Sequence, residues 1–251
     1  MEIDLLAPIR IAPPIIDHLS NELRQRQFSV MSGRAVQAAC DVDPGTWDEF
    51  ASCWNNLPQD KYMGDNGSYR FRRYSAFELD GADGVLRQLP HAPYVQPSYI
   101  NKLNGDVARH FEPLEQHFID NPFLSGLLLS LAQVFDRVDG GSGKWNIRLH
   151  PYRIRASSHV PGNPTPEGLH RDGVDYIVTM MVRRHNVVGG ETYITDVAGK
   201  LMCRYTLTDP MDLMLADDAR TMHGVTKVLP HEAKREAFRD VLVIAYTRTQ
   251  A

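Results

Sequence analysis

The amino-acid sequence predicts a mainly β protein with packing helices: an antiparallel sandwich or jelly roll that carries a helical N-terminal part. Three observations predict it. After Lys144 the chain breaks into seven or eight short runs rich in Val, Ile, Tyr, Thr and Met, turn-forming stretches separate these runs, and no helical pattern intervenes. Before Lys144 the apolar spacing is mostly helical. With 251 residues, 43% of them hydrophobic, the chain can bury a sizeable core as a single domain. Residues 1–143 read as mostly helical support with some strands, and residues 144–251 as the jelly-roll core.

Taken in order, Ile15 to Val30 has roughly helical apolar spacing. Asp43-Pro44-Gly45-Thr46 reads as a turn and N-cap for a helix carrying Trp47, Phe50 and Trp54, aromatics that suit a core. Gly64-Asp65-Asn66-Gly67 is a turn, and Tyr69 to Leu79 then alternates aromatic and charged residues with the period of a strand. Gln96 to Asn104 mixes turn and strand residues. Phe111 to Val138 is apolar-periodic around Leu127 to Leu131 and predicts a helix starting near Asn121-Pro122. Gly140-Gly141-Ser142-Gly143-Lys144 invites comparison with a phosphate loop, but Val138 stands where the first Gly belongs and Trp145 where Ser or Thr would bind magnesium; a flexible turn results. The strands that follow are Trp145 to Ala156, Val174 to Val182, Glu191 to Asp196, Leu201 to Leu207, Asp212 to Ala216, Thr221 to Leu229 and Phe238 to Thr247.

Composition excludes several classes. A net charge of -4 without a basic stripe argues against a nucleic-acid partner, and a solvated strand edge accounts for the Arg70-Phe71-Arg72-Arg73-Tyr74 cluster. Cys40, Cys53 and Cys203 are odd in number and widely spaced, which supports neither a disulfide framework nor a zinc knuckle and suits a reducing cytoplasm. Met1-Glu2-Ile3-Asp4 is acidic where an export signal is basic, and no apolar run has membrane-spanning length.

Chemistry concentrates in Gly168-Leu169-His170-Arg171-Asp172-Gly173. In an extended segment His170 and Asp172, two residues apart, point the same way. Two histidines and one carboxylate on one face of a metal form the set used by non-haem iron(II), so a third ligand is expected from another strand. His223 opens a late strand and is the candidate, whereas His185 lies in the polar stretch Arg183 to Asn186 and His231 in a charged loop after Pro230. Iron held in this way keeps a positive charge that a keto acid such as 2-oxoglutarate can chelate, and the far carboxylate of that acid then needs a fixed cation. Arg239, at the start of the last apolar strand, is preferred for that role; Arg235, in the charged loop before it, is the alternative, and a surface pair with Asp240 is the bland reading of Arg239.

His170-x-Asp172, Asp175 to Val178, Arg184 to Thr192, His223-Gly224-Val225 and Arg239 to Leu242, together with Tyr69 to Tyr74 and Gln96 to Arg109, resemble the bacterial iron(II)/2-oxoglutarate dioxygenases that include L-isoleucine dioxygenase and other free amino acid hydroxylases. The resemblance runs from about residue 65 to the end. It implies a double-stranded β-helix, that is a cupin-like jelly roll, with iron ligation by His170, Asp172 and His223, and 2-oxoglutarate held by Arg239. It further implies iron(II), 2-oxoglutarate and O2 as cofactors, and hydroxylation of an unactivated C–H bond of a free L-amino acid or simple derivative, with decarboxylation of 2-oxoglutarate to succinate and CO2. In related halogenases a small residue replaces the carboxylate ligand, so the retained Asp172 favours hydroxylation. A dioxygenase acting on a peptide or protein residue and a non-catalytic metal-binding jelly roll remain as alternatives.

On the substrate side, Arg148, His150, Tyr152 and Ile154 share one strand face; if it is interior, Arg148 or Tyr152 could hold a substrate carboxylate, and if exterior, Arg153 and Arg155 turn inward instead. The proline-containing stretch Ser157 to Gly168 reads as a lid beside the ligand pair.

Overall fold

Helices form in the N-terminal part where capping signals place them. In a computed structural model that describes residues 9–81 and 84–249, α1 (Pro13–Arg26) begins with prolines in its first turn and buries Ile16, Leu19 and Leu23. The acidic Met1 to Asp4 stretch lies outside the described residues. Gln27 ends α1 with a left-handed φ of 65°, and the chain extends at once into β1 (Phe28–Met31). Helix was expected through Val30. Phe28 to Met31 instead pair antiparallel with Leu213 to Ala216, and this long-range ladder overrides the local spacing.

Ser32 caps α2 (Gly33–Cys40), and the Asp43 carboxylate accepts the Thr46 amide at 3.0 Å to cap α3 (Pro44–Ser52). Trp54 falls in a short 3-10 turn, Cys53–Asn56. After α4 (Gln116–Ile119), Asn121 caps the long α5 (Pro122–Asp139), which Gly140 closes in a left-handed conformation.

The strands are β2 (Arg70–Arg72), β3 (Ser75–Asp80), β4 (Val85–Gln88), β5 (Lys144–Ala156), β6 (Tyr176–His185), β7 (Val187–Gly189), β8 (Thr192–Asp196), β9 (Leu201–Tyr205), β10 (Leu213–Asp217), β11 (Thr221–Val225), β12 (Val228–Pro230) and β13 (Ala237–Thr249). An eight-stranded antiparallel sheet runs β1-β10-β6-β13-β5-β3-β4, with β2 also on β5; β11-β8-β9 and β12-β7 form smaller sheets. The result is a mainly β double-stranded β-helix with packing helices.

Three strand boundaries differ from expectation. The single strand expected over Tyr69 to Leu79 is interrupted at Arg73-Tyr74, where the Tyr74 amide bonds to the Glu112 carbonyl. Thr221 to Leu229 is cut at Thr226, whose amide bonds to Glu191. The strand expected at Val174 starts at Tyr176 and runs on through His185, so Arg183 to His185 are strand and the turn lies at Asn186, with φ 51°.

Period-two alternation then assigns each strand face. Trp145, Ile147 and Leu149 of β5, Tyr176, Val178 and Met180 of β6, and Leu242, Ile244 and Tyr246 of β13 pack with the helices. Tyr246 donates its hydroxyl to the Leu128 carbonyl of α5 at 2.9 Å. Ile177, Met181, Val241 and Ala245 face the other way and pack with Ile194 of β8. Trp54 donates its indole N–H to the carbonyls of Tyr152 and Val241, at 3.1 and 3.2 Å, and so ties the helical layer to the paired strands whose side chains line the cavity described next. Among the described residues no helix is long and apolar enough to cross a membrane.

Candidate active site

The two histidines meet through their backbones before their side chains meet. His170 and His223 form an antiparallel bridge, with amide-to-carbonyl bonds of 3.0 and 2.9 Å in the two directions, so β11 fixes the position of the earlier segment. Asp172 follows not on a strand, as the extended reading supposed, but in a loop between Gly168 and Gly173, both at positive φ. Gly173 is needed there: its φ is 73°, and a Cβ would lie 2.9 Å from the Ile100 side chain.

The loop is held by a residue that sequence reasoning missed. Asp218, which is buried, accepts the amides of Asp172, Gly173 and Val174 at 3.1, 2.8 and 3.1 Å. Its Oδ1 stands 3.9 Å from His223 Nδ1. Burial, followed by the nearby Asp172 charge, lifts the Asp218 pKa to about 6. No local signal marks it in sequence, because an Asp-Asp pair before a strand is ordinary turn chemistry.

His170, Asp172 and His223 bring one ligand atom each to within 4.8 Å of one another. His170 donates from Nδ1 to the Gly168 carbonyl at 3.0 Å, which leaves Nε2 as the free lone pair. The His223 Nε2 is 3.4 Å from an Asp172 oxygen. Burial, reinforced by His170, pushes the His223 pKa down to about 4, so its ring is neutral at ordinary pH. For His170 burial works against protonation, but the Asp172 and Glu167 carboxylates outweigh it and raise the pKa. Two imidazoles and one carboxylate converging on one point suit a non-haem divalent metal. The two rival histidines lie elsewhere: His185 stacks on Phe238 at 5.3 Å, and His231 is exposed.

Arg239 projects into the same cavity as the three ligand residues. It is 2% exposed, and its Nε and Nη2 have no hydrogen-bond partner. It does not pair with Asp240, which takes two 2.7 Å bonds from Arg153. Burial, together with the Arg184 charge, lowers the Arg239 pKa to about 9. A buried guanidinium with free donors beside a candidate metal site fits the distal carboxylate of a chelating keto acid. Arg235 is 58% exposed and bonds Glu232 at 2.8 Å.

The shared face of β5 is interior. Tyr152 and Ile154 line the cavity, while His150 is buried beside Arg72, with Arg72 Nη2 on its Nδ1. Arg148 lies outside the cavity lining and donates to Thr247 at 2.8 Å. Arg153 is the buried partner of Asp240, and Arg155 is exposed. Pro164, Thr165 and Glu167 of the proline-containing stretch reach the cavity.

The Arg70 to Tyr74 cluster is not a solvated edge. Arg70 and Arg72 are buried and line the cavity, because β2 lies flat against β5. Arg70 is neutralised by Asp60 at 2.8 Å, whereas Arg72 stacks over Phe111 at 3.8 Å and Tyr152 at 4.5 Å. Arg109, also buried, donates to Gln96 at 2.9 Å and lies 4.6 Å from the Tyr94 ring centre.

A β-helix holding two histidines, one carboxylate and a buried arginine in one cavity defines a non-haem metal oxygenase architecture. The chain belongs to the 2OG-Fe dioxygenase family, whose model matches residues 51–245. It is therefore an enzyme family member whose cofactors are iron(II), 2-oxoglutarate and O2. A bsmA homolog from Methylobium petroleophilum PM1 is 34% identical and superposes with a TM-score of 0.84 over 100% of this chain and 99% of its own. A structure described as IDO from Bacillus thuringiensis is 18% identical, with a TM-score of 0.78 over 94% and 100%. The Fe(II)/(alpha)ketoglutarate-dependent dioxygenase TqaL is 19% identical, with a TM-score of 0.73 over 95% and 88%. At those identities the last two document the fold. No curated protein matches the chain.

Proposed function

We propose that this protein hydroxylates a C–H bond of a free L-amino acid or a simple derivative, with His170, Asp172 and His223 holding iron(II) and Arg239 holding the far carboxylate of 2-oxoglutarate. Bound iron supplies the redox and Lewis-acid chemistry that couples decarboxylation of 2-oxoglutarate to oxidation of the substrate. The chain's own groups orient and exclude. His170 keeps its proton on Nδ1 through Gly168, Asp218 holds the Asp172 loop in place, and Val241, Val243 and Ile154 supply the apolar part of the cavity wall.

The observation that carries the substrate class is the second set of cations. Arg72 and Arg109 are buried in the cavity wall, away from Arg239, and each has an unpartnered Nε. Across the sheet, Arg72 pairs in register with Tyr152, and Tyr152 with Val241, so β5 separates Arg72 from the strand that bears Arg239. Such a wall suits a substrate carboxylate, and Glu167 offers an anion for an ammonium group in the same cavity. This reading places the enzyme in the cytoplasm, in keeping with three unpaired cysteines.

Succinate release measured across a panel of free amino acids and their carboxamides tests the class. Free acids are expected to be turned over and carboxamides to fail; equal rates would remove the carboxylate from the recognition argument. Arg72→Gln is expected to raise KM for the amino acid about tenfold while KM for 2-oxoglutarate stays near wild type. For the co-substrate end, Arg239→Gln should raise the 2-oxoglutarate KM by roughly 10- to 100-fold and Arg235→Ala should leave it unchanged. The reverse pattern would move the anchor to Arg235.

A further inference from the structure

The strand β6 contains an irregularity that changes which way Arg184 points. Its pairing with β13 runs in step from Tyr176 to Met181, slips between Asp240 and Val241, and resumes with Arg183 opposite Asp240 and Arg184 opposite Arg239. One extra residue in β6 inverts the alternation beyond it. Without the slip, Arg184 would share the helix-facing side of Met180 and Val182. With it, Arg183 takes the helix side, where it reaches the Ala51 carbonyl at 3.0 Å, and Arg184 turns to the side of Arg239.

Two guanidinium groups therefore stand directly across neighbouring strands, an arrangement that is unfavourable when nothing neutralises it. Neither contacts an acid in the way Arg70 and Arg153 do. Arg184 spends Nη2 on the carbonyls of Val187 and Gly189, at 3.3 and 2.9 Å, while its buried Nη1 has no partner. Arg239 leaves Nε and Nη2 open. Gly190 lies against both side chains: a Cβ there would come within 3.1 Å of Arg184 Nη1 and 3.5 Å of Arg239 Cδ. Buried donors of like charge with open hydrogens are the reverse of what folding alone selects and what an anion site requires.

We infer that Arg184, which stands behind Arg239 and outside the lining of the cavity that Arg239 enters, is a second cation of the co-substrate site, and that the distal carboxylate of 2-oxoglutarate is bound by the field of an Arg184–Arg239 pair rather than by Arg239 alone. The inference rests on the assignment of Arg239 to that carboxylate. It predicts that the charge of Arg184 contributes to anion affinity. A purely structural Arg184, pinning the β6–β7 turn through its two carbonyl bonds, would contribute to stability and not to affinity.

The test is calorimetric titration of the iron-free protein with 2-oxoglutarate, together with its thermal midpoint, for wild type, Arg184→Gln, Arg184→Lys and Arg239→Gln. Arg184→Gln is expected to bind 2-oxoglutarate roughly tenfold more weakly without losing thermal stability in the absence of ligand. Arg184→Lys, which keeps the charge and loses the paired carbonyl bonds, is expected to stay within about threefold of wild-type affinity. Wild-type affinity in Arg184→Gln, whatever its midpoint, overturns the inference. If Arg184→Gln does not fold, Arg184→Met, which also removes the charge, decides: binding roughly tenfold weaker than wild type supports the inference, and wild-type affinity overturns it. Failure of the underlying assignment has its own signature, since Arg239→Gln would then bind as wild type does.

Discussion

His223→Ala is expected to erase the visible charge-transfer band that forms when iron(II) and 2-oxoglutarate are added anaerobically to the wild-type protein, and to reduce succinate release to background. Removing even an outer-shell partner of a metal ligand costs about 10- to 100-fold in affinity or activity, so loss of one of three protein ligands should exceed that range. The geometry makes His223 hard to replace. It is buried, its low pKa keeps the ring in the neutral form that donates a lone pair, and its backbone holds His170 in the bridge between them. Because that bridge uses main-chain atoms, the alanine variant retains it, and its circular dichroism should match wild type. An unchanged band in a folded His223→Ala protein would remove His223 from the metal site.

Asp240→Ala is expected to produce the largest loss of stability, about 3–5 kcal/mol, read as a drop in thermal midpoint on the order of 10 °C. The Asp240 carboxylate is fully buried, bonds Arg153 through two 2.7 Å contacts and lies 4.0 Å from Arg183. Its removal strands the Arg153 guanidinium, itself nearly buried, against the Phe238 ring at 4.2 Å. Since Asp240 faces away from Arg239, the damage should appear in unfolding before it appears in co-substrate affinity. A loss below about 1 kcal/mol in chemical denaturation would mean that solvent reaches Arg153 and compensates it.

The parts of the site that could be read from sequence are those whose neighbours are local or whose phase follows simple alternation. His170 and Asp172 are two residues apart, and Arg239 and Val241 fall on one face by the period of the strand. Tyr152 was reachable by the same rule. What escaped depends on pairings between distant segments. Arg72 looked solvated because nothing near it in the chain shows that β2 lies on β5 beneath Phe111 and Tyr152. Asp218 has a role only once three amides of a separate loop are folded onto it. Arg184 reads only as part of the polar stretch Arg183 to Asn186, because Met180 to His185 shows no turn residue or glycine to announce a bulge; the slip becomes visible only against the register of β13.

The same dependence on distance governs the short strand β1. Phe28 to Met31 cover the flank of β10 that would otherwise be a bare edge of the large sheet, and the Gly33 amide bonds the buried Asp212 carboxylate at 2.7 Å across 179 residues of sequence. A chain made from its N-terminus thus produces an apolar strand long before the partner that saturates it exists. During synthesis this segment must wait, with its backbone unpaired, until β10 has emerged, and closure of the sheet at that flank becomes a late step in folding. The order of assembly runs opposite to the order of the chain at that edge: a strand made well before its partner is among the last to find its place.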